Sequence, residues 1–98
     1  MIRVAVVADE STALGWRLAG AQIYTPRESD VSQCLDRAAA EADVVLITAQ
    51  LAARLPGEQL AAAALRLRPL LEIIADVRGS AAPPDLEREV RRTLGVAT

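Results

Sequence analysis

Runs of apolar residues alternate along this chain with segments in which apolar residues recur at helical spacing. Four such runs predict strands, at residues 2–8, 21–25, 44–47 and 69–75. The first and third are nearly unbroken rather than alternating, which is typical of strands buried on both faces. The fourth contains Glu72, and this charge favours an edge position for that strand.

Four segments at helical spacing predict helices, at residues 11–20, 29–42, 49–67 and 84–95. Pro56 and Gly57 should divide the third of these. Because strand and helix alternate, right-handed crossovers and a parallel sheet follow. We therefore expect an α/β fold of Rossmann-like or flavodoxin-like type: a single domain over residues 1–98, with four strands in the order 2-1-3-4 and helices on both faces.

The first helix follows the clearest strand. Ser11 is the expected N-cap, Gly20 the expected end, and Leu14 and Leu18, one turn apart, are expected to face the sheet. This arrangement leaves Trp16 and Arg17 on the other side, and both residue types are common at protein interfaces. A tryptophan packed under a loop is the alternative.

The remaining helices have apolar stripes of their own. In the second helix, which should start at Ser29, the stripe is Val31, Leu35, Ala38, Ala39 and Ala42, and Cys34 beside it is expected to be a buried, inert thiol. In the last helix, which should start at Pro84, the stripe is Leu86, Val90, Thr93 and Leu94.

Composition argues against two classes of function, nucleic-acid binding and membrane insertion. The 98 residues have a net charge of −2, with eleven basic residues that are all arginine and no histidine. Arginines and acids are interspersed, and only Trp16 and Tyr24 are aromatic, which argues against nucleic-acid binding. No apolar run approaches the roughly 20 residues that span a bilayer, so no direct membrane insertion is expected. Met1 leads straight into a strand without a cleavage site, which favours the cytoplasm.

The carboxyl ends of the first, third and fourth strands are where this fold would place an active site. They bring Asp9 and Glu10, Thr48 and Gln50, and Asp76 and Arg78 to one edge. Asp9-Glu10 is similar to the acidic pair of receiver domains, but the third strand ends in a threonine and the chain has no lysine. A serine nucleophile would lack a base, and no glycine-rich phosphate loop is present.

We therefore predict no catalytic residue, no cofactor and no metal site. Three interpretations of the edge stay open. Asp9, Glu10 and Asp76 are either solvated turn acids or ligands that gather a magnesium or calcium ion. A small receiver-like or ligand-binding module would instead use Asp9, Thr48 and Asp76.

Several segments resemble the F subunit of the archaeal and vacuolar type rotary ATPases. The contiguous sequence GWRLAG at residues 15–20 has the Gly-aromatic-Arg-Leu-Ala-Gly pattern of that family. Residues 43–48 and 69–74 are similar to its third and fourth strands, and residues 90–96 to the end of its terminal helix. The similarities fall along nearly the whole chain and in the same order.

The resemblance implies a mechanical role. The F subunit is a non-catalytic component of the central stalk, which binds the coiled-coil axle, the D subunit, and turns with it inside the ring of A and B subunits. It thereby couples ATP hydrolysis or synthesis to proton or sodium transport, at a cytoplasmic position peripheral to the membrane. The expected axle contacts on the last helix are Leu86, Val90, Arg91 and Leu94, with Trp16 and Arg17 as a second contact suggested by residue type. A weak homodimer is left open.

Overall fold

The computed structural model describes residues 2–66 and 68–76. These residues contain a parallel four-stranded sheet, with β1 at Val4–Val7, β2 at Gln22–Tyr24, β3 at Val44–Thr48 and β4 at Leu70–Ile74. The strands lie in the order β2-β1-β3-β4, and each neighbouring pair is parallel. The predicted topology is confirmed, and Glu72 does lie on an edge strand.

The helices connect these strands. They are α1 at Glu10–Leu18, α2 at Val31–Glu41, α3 at Ala49–Ala52 and α4 at Gly57–Leu65, with a 3-10 turn at Glu28–Asp30 before α2. Pro56 separates α3 from α4, as expected from the absence of a backbone N–H in proline. Ser29, the predicted start of the second helix, lies in the 3-10 turn. The predicted helix at 84–95 lies outside the described residues.

One face of the sheet, which we call the three-helix face, is covered by α2, α3 and α4. The larger apolar cluster lies here, with Val45 and Ile47 of β3 fully buried at its centre. Helix α2 contributes Val31, Leu35 and Ala38. Cys34 also faces this cluster, whereas the predicted stripe residue Ala39 is only partly buried. The burial predicted for the cysteine is confirmed.

The opposite face, which we call the α1 face, has one described helix over it. Val6, Ala8 and Ala13 form a smaller buried cluster there, and Trp16 packs against it. Because Ala13 and Trp16 lie nearly one turn apart, they define the side of α1 that meets the sheet. The small side chain of Ala13 allows the helix to approach the sheet closely, and the Trp16 indole packs beside it.

Two predictions for α1 are wrong. Leu14 and Leu18 do not face the sheet, since 58% and 84% of their surfaces are exposed. Ser11 is not the N-cap but an exposed residue inside the helix. The cap is Asp9, two residues earlier. The side of α1 that meets the sheet has Ala13 and Trp16 on it rather than the two leucines. Gly20 does end this segment, with a φ of +93° that suits glycine.

Candidate functional site

The carboxyl edge of the sheet was the first candidate, and its side chains are engaged within the fold. The backbone N–H of Thr12 donates to Asp9 Oδ2 at 3.1 Å, and the Thr12 hydroxyl donates to Asp9 Oδ1 at 2.6 Å. Both carboxylate oxygens therefore serve the first turn of α1. The hydroxyl of Thr12 is the main cause that lowers the pKa of Asp9 below its ordinary value of 3.8. Asp9 is an ionised cap at neutral pH.

Thr48 has a similar structural role at the end of β3. Its side chain is 1% exposed, and its hydroxyl oxygen accepts a long hydrogen bond of 3.4 Å from the backbone N–H of Leu51. It caps α3 and is covered, so it presents little surface to a ligand. Asp76 lies close enough for its charge to raise the pKa of Asp9 slightly, in opposition to Thr12. Arg78, the last residue assigned to this edge, lies outside the described residues.

Metal coordination at this edge requires several ligands on one centre. Among residues 2–66 and 68–76, no three histidine, cysteine, aspartate or glutamate side chains are grouped to hold an ion. Asp9 is bound to Thr12 and Glu10 is exposed in the first turn of α1. The first turn of a helix is a favourable place for such acids because of the helix dipole.

Two surface cavities lie elsewhere, on either side of the end of β2. One, of about 380 Å³, is lined by Thr25, Pro26, Asp30, Gln33, Cys34 and Arg37. The other, of about 370 Å³, is lined by Glu10, Ala13, Leu14, Arg17 and Thr25. Neither includes Asp9, Thr48 or Asp76. Burial raises the pKa of the Cys34 thiol, so the cysteine beside the first cavity stays protonated at neutral pH.

The residues assigned to a partner interface have different positions. Arg17 is exposed on α1, whereas Trp16 is partly buried against the α1-face cluster. Leu86, Val90, Arg91 and Leu94 lie outside the described residues. The large exposed apolar side chains of α1 are Leu14 and Leu18, which sequence reasoning assigned to the core. Taking Ala13 and Trp16 as the inward side of the helix would have identified both leucines as exposed.

Comparison with known proteins gives one decisive result. A model of the ATP synthase (F/14-kDa) subunit family matches residues 4–92. The chain belongs to this family. A search of curated proteins finds no significant match.

Membership in the F-subunit family confirms the resemblance seen at residues 15–20 and makes this chain a subunit of a multisubunit ATP synthase of the V/A type. The match extends from β1 beyond β4, so it includes the α/β fold described above. Within the described ranges, no helix is both long and apolar enough to cross a membrane.

Proposed function

We propose that this chain is a non-catalytic subunit of the central stalk, which binds the D subunit, the coiled-coil axle, and turns with it inside the ring of A and B subunits. The observation that carries the proposal is the family match over residues 4–92. Such a stalk component would help to couple ATP hydrolysis or synthesis to proton or sodium transport, from a position peripheral to the membrane.

The chemistry of the carboxyl edge supports a role without catalysis. Asp9 and Thr48, which would have to bind a ligand there, cap α1 and α3 instead. The whole chain lacks histidine, the side chain most often used for general acid–base catalysis, and it lacks lysine as well. A role in contacts suits this composition better than a role in bond making.

The exposed side of α1 supports a contact role. Leu14, Arg17 and Leu18 lie on adjacent turns, and the helix presents them to solvent. Aliphatic side chains around an arginine suit a partner helix with apolar residues and a carboxylate. In this proposal Arg17 contacts the partner through its guanidinium. Trp16 packs between the helix and the sheet, and its exposed part contacts the partner at the edge of the interface.

Co-purification with the cognate axle protein tests the proposal. The full chain should form a stable complex, and Leu94→Glu should weaken it by about tenfold or more, because a charge would be placed in an apolar contact. Arg92→Glu is the matched control, since position 92 lies on the opposite side of the predicted helix and should leave binding nearly unchanged.

Arg17→Glu tests the second contact in the same assay. Because it reverses the charge of an exposed residue, it should weaken the complex without unfolding the chain. A chain that stays monomeric in the presence of the axle protein, with no effect of Leu94→Glu, would rule out the stalk function.

A further inference from the structure

A cavity of about 370 Å³ lies along α1, beside the end of β2. Its lining residues are Glu10, Ala13, Leu14 and Arg17 of the helix, with Thr25 as a side wall. Positions at i, i+3, i+4 and i+7 are neighbours on the surface of a helix. In packed pairs of helices, four such neighbours surround a hole into which a side chain of the facing helix inserts. We call this cavity the α1 hole.

The α1 hole is apolar in the middle and charged at both ends. Ala13, which is 1% exposed, lies at its base, and the Leu14 side chain beside it is 58% exposed. Glu10 and Arg17 lie at the two ends, about 10 Å apart along the helix axis. Both are exposed, and neither has an ion pair with another residue of the described ranges 2–66 and 68–76. The hole therefore fits a helix that brings an apolar side chain between a cation and a carboxylate.

Helix α1 of a second copy has this same order of groups when it runs antiparallel. A twofold axis between residues 13 and 14 sets Glu10 of each copy opposite Arg17 of the other. It also sets each Leu14 opposite Ala13 of the other copy, so that a large side chain meets a small one at both places. A parallel arrangement would set like charges against each other, which is unfavourable. The charges of α1 are thus complementary to themselves in the antiparallel arrangement alone.

The contact would be short. Helix α1 has nine residues, and its length is about 14 Å. Stable interfaces bury roughly 1,200 Å² or more in total, and one pair of short helices provides less, so the association should be weak. We propose that the free chain forms a weak antiparallel dimer, in which Leu14 of each copy inserts into the α1 hole of the other and Glu10 pairs with Arg17 across the interface.

This inference concerns the free chain and goes beyond the proposed function. Leu14 and Arg17 are also assigned above to a contact with the axle protein, so the two contacts compete for one surface. Binding of the axle protein at α1 would therefore dissociate the dimer by mass action. Since self-association is measured on the free chain alone, its outcome is independent of the co-purification.

Charge reversal tests the dimer, with sedimentation equilibrium of the full chain at low salt as the measurement. Glu10→Arg and Arg17→Glu should each weaken self-association by about tenfold, because each sets two pairs of like charges in the interface. An equimolar mixture of the two variants should associate within about twofold of the parent, since opposite charges then meet at both ends. Glu58→Arg is the matched control, because Glu58 is exposed in the first turn of α4, as Glu10 is in α1. It should leave self-association unchanged.

Leu14→Arg provides a second measurement, which does not depend on the ion pairs. It removes the side chain that fills the α1 hole and should weaken self-association by about tenfold or more. Leu65→Arg is its control and should have no effect, because Leu65 is a leucine of similar exposure on α4.

Three results would overturn the proposal. The first is a parent chain that stays monomeric up to about 1 mM, which would leave the α1 hole to a helix of another protein. The second is a mixture of the two charge-reversed variants that associates no better than either variant alone. The third is a loss of self-association in the control variants as large as that in the α1 variants.

Discussion

The two faces of the sheet are built differently, and a single strand shows the contrast. In β3, Val45 and Ile47 point to the three-helix face and are fully buried, whereas Leu46 points to the α1 face and is only partly buried. Polar contacts reinforce the three-helix face. Gln59 of α4 accepts a hydrogen bond of 2.6 Å from the Ser32 hydroxyl of α2 and donates one of 3.0 Å to the Ser32 carbonyl. Two of its covering helices are thus joined to each other.

The α1 face has neither the larger cluster nor a second described helix. Its buried cluster is Val6, Ala8 and Ala13, and the larger side chains packed against that cluster, such as Trp16 and Leu46, are only partly buried. Three further leucines, Leu14, Leu18 and Leu70, are about half or more exposed. The difference indicates a division of roles. The three-helix face supplies most of the apolar stabilisation, and the α1 face retains surface for another helix, from a second copy of this chain or from a partner.

Ile47→Ala should produce the largest effect on stability. Ile47 is fully buried on the three-helix face, so its truncation should cost about 2–5 kcal/mol. Leu46→Ala is the matched variant on the α1 face and should cost only about 1–2 kcal/mol, because part of its surface is already in solvent. Denaturant unfolding of the full chain measures both. Equal costs would contradict the difference between the faces.

The cap of α1 should come next in magnitude. Asp9→Ala removes the acceptor of both Thr12 hydrogen bonds and should cost about 0.5–2 kcal/mol, the usual range for an N-cap. Ser11→Ala is the control, because Ser11 is exposed inside the helix, and its stability should stay within about 0.5 kcal/mol of the parent. A larger loss of unfolding free energy for Ser11→Ala than for Asp9→Ala would mean that Ser11 is the N-cap.

The same cap predicts a pH dependence. The pKa of Asp9 is lower in the folded chain than its ordinary value of 3.8, chiefly because the Thr12 hydroxyl donates to it. Folding therefore favours the ionised form, and this contribution is fully present above the unfolded-state pKa. It is lost as the pH falls below 3.8 and through the folded-state pKa. In acid, the stability difference between the parent and Asp9→Ala, measured by denaturant unfolding, should shrink.

The sequence was sufficient for the topology but not for the rotation of α1. Continuous apolar runs such as 44–47 identify inner parallel strands directly, and Pro56 marks a helix break by its chemistry. The inward face of a short helix is predicted from the apolar residues that are taken to define it, and α1 offers two choices. Leu14 and Leu18 are one turn apart and larger than Ala13, so their spacing predicted the wrong face. In the structure Ala13 and Trp16 face the sheet instead, because the small Ala13 lets α1 approach closely and Trp16 fills the space beside it. By residue type Ser11 is as good a cap as Asp9, and only the geometry identifies Asp9.

For the candidate site, residue type was informative but geometry was needed. Asp9 and Thr48 were correctly placed at the ends of β1 and β3, yet the sequence could not show that their oxygens cap the following helices. Sequence also could not decide between two uses of Trp16. Tryptophan is common at protein interfaces, and it is also a large apolar side chain that can pack against a small cluster. In the structure Trp16 is partly buried against the α1-face cluster, so it packs within the fold.

The smallest effect on stability should come from the exposed side of α1. Leu18 is 84% exposed, so Leu18→Ala should change the free energy of unfolding by less than about 0.5 kcal/mol, as for other surface substitutions. Denaturant unfolding measures this, and a loss above about 1 kcal/mol would mean that Leu18 is covered in the folded chain. The informative result combines two assays. If Leu18→Ala keeps its stability but weakens the complex with the axle protein, the leucine is exposed in the free chain because its contact belongs to the partner.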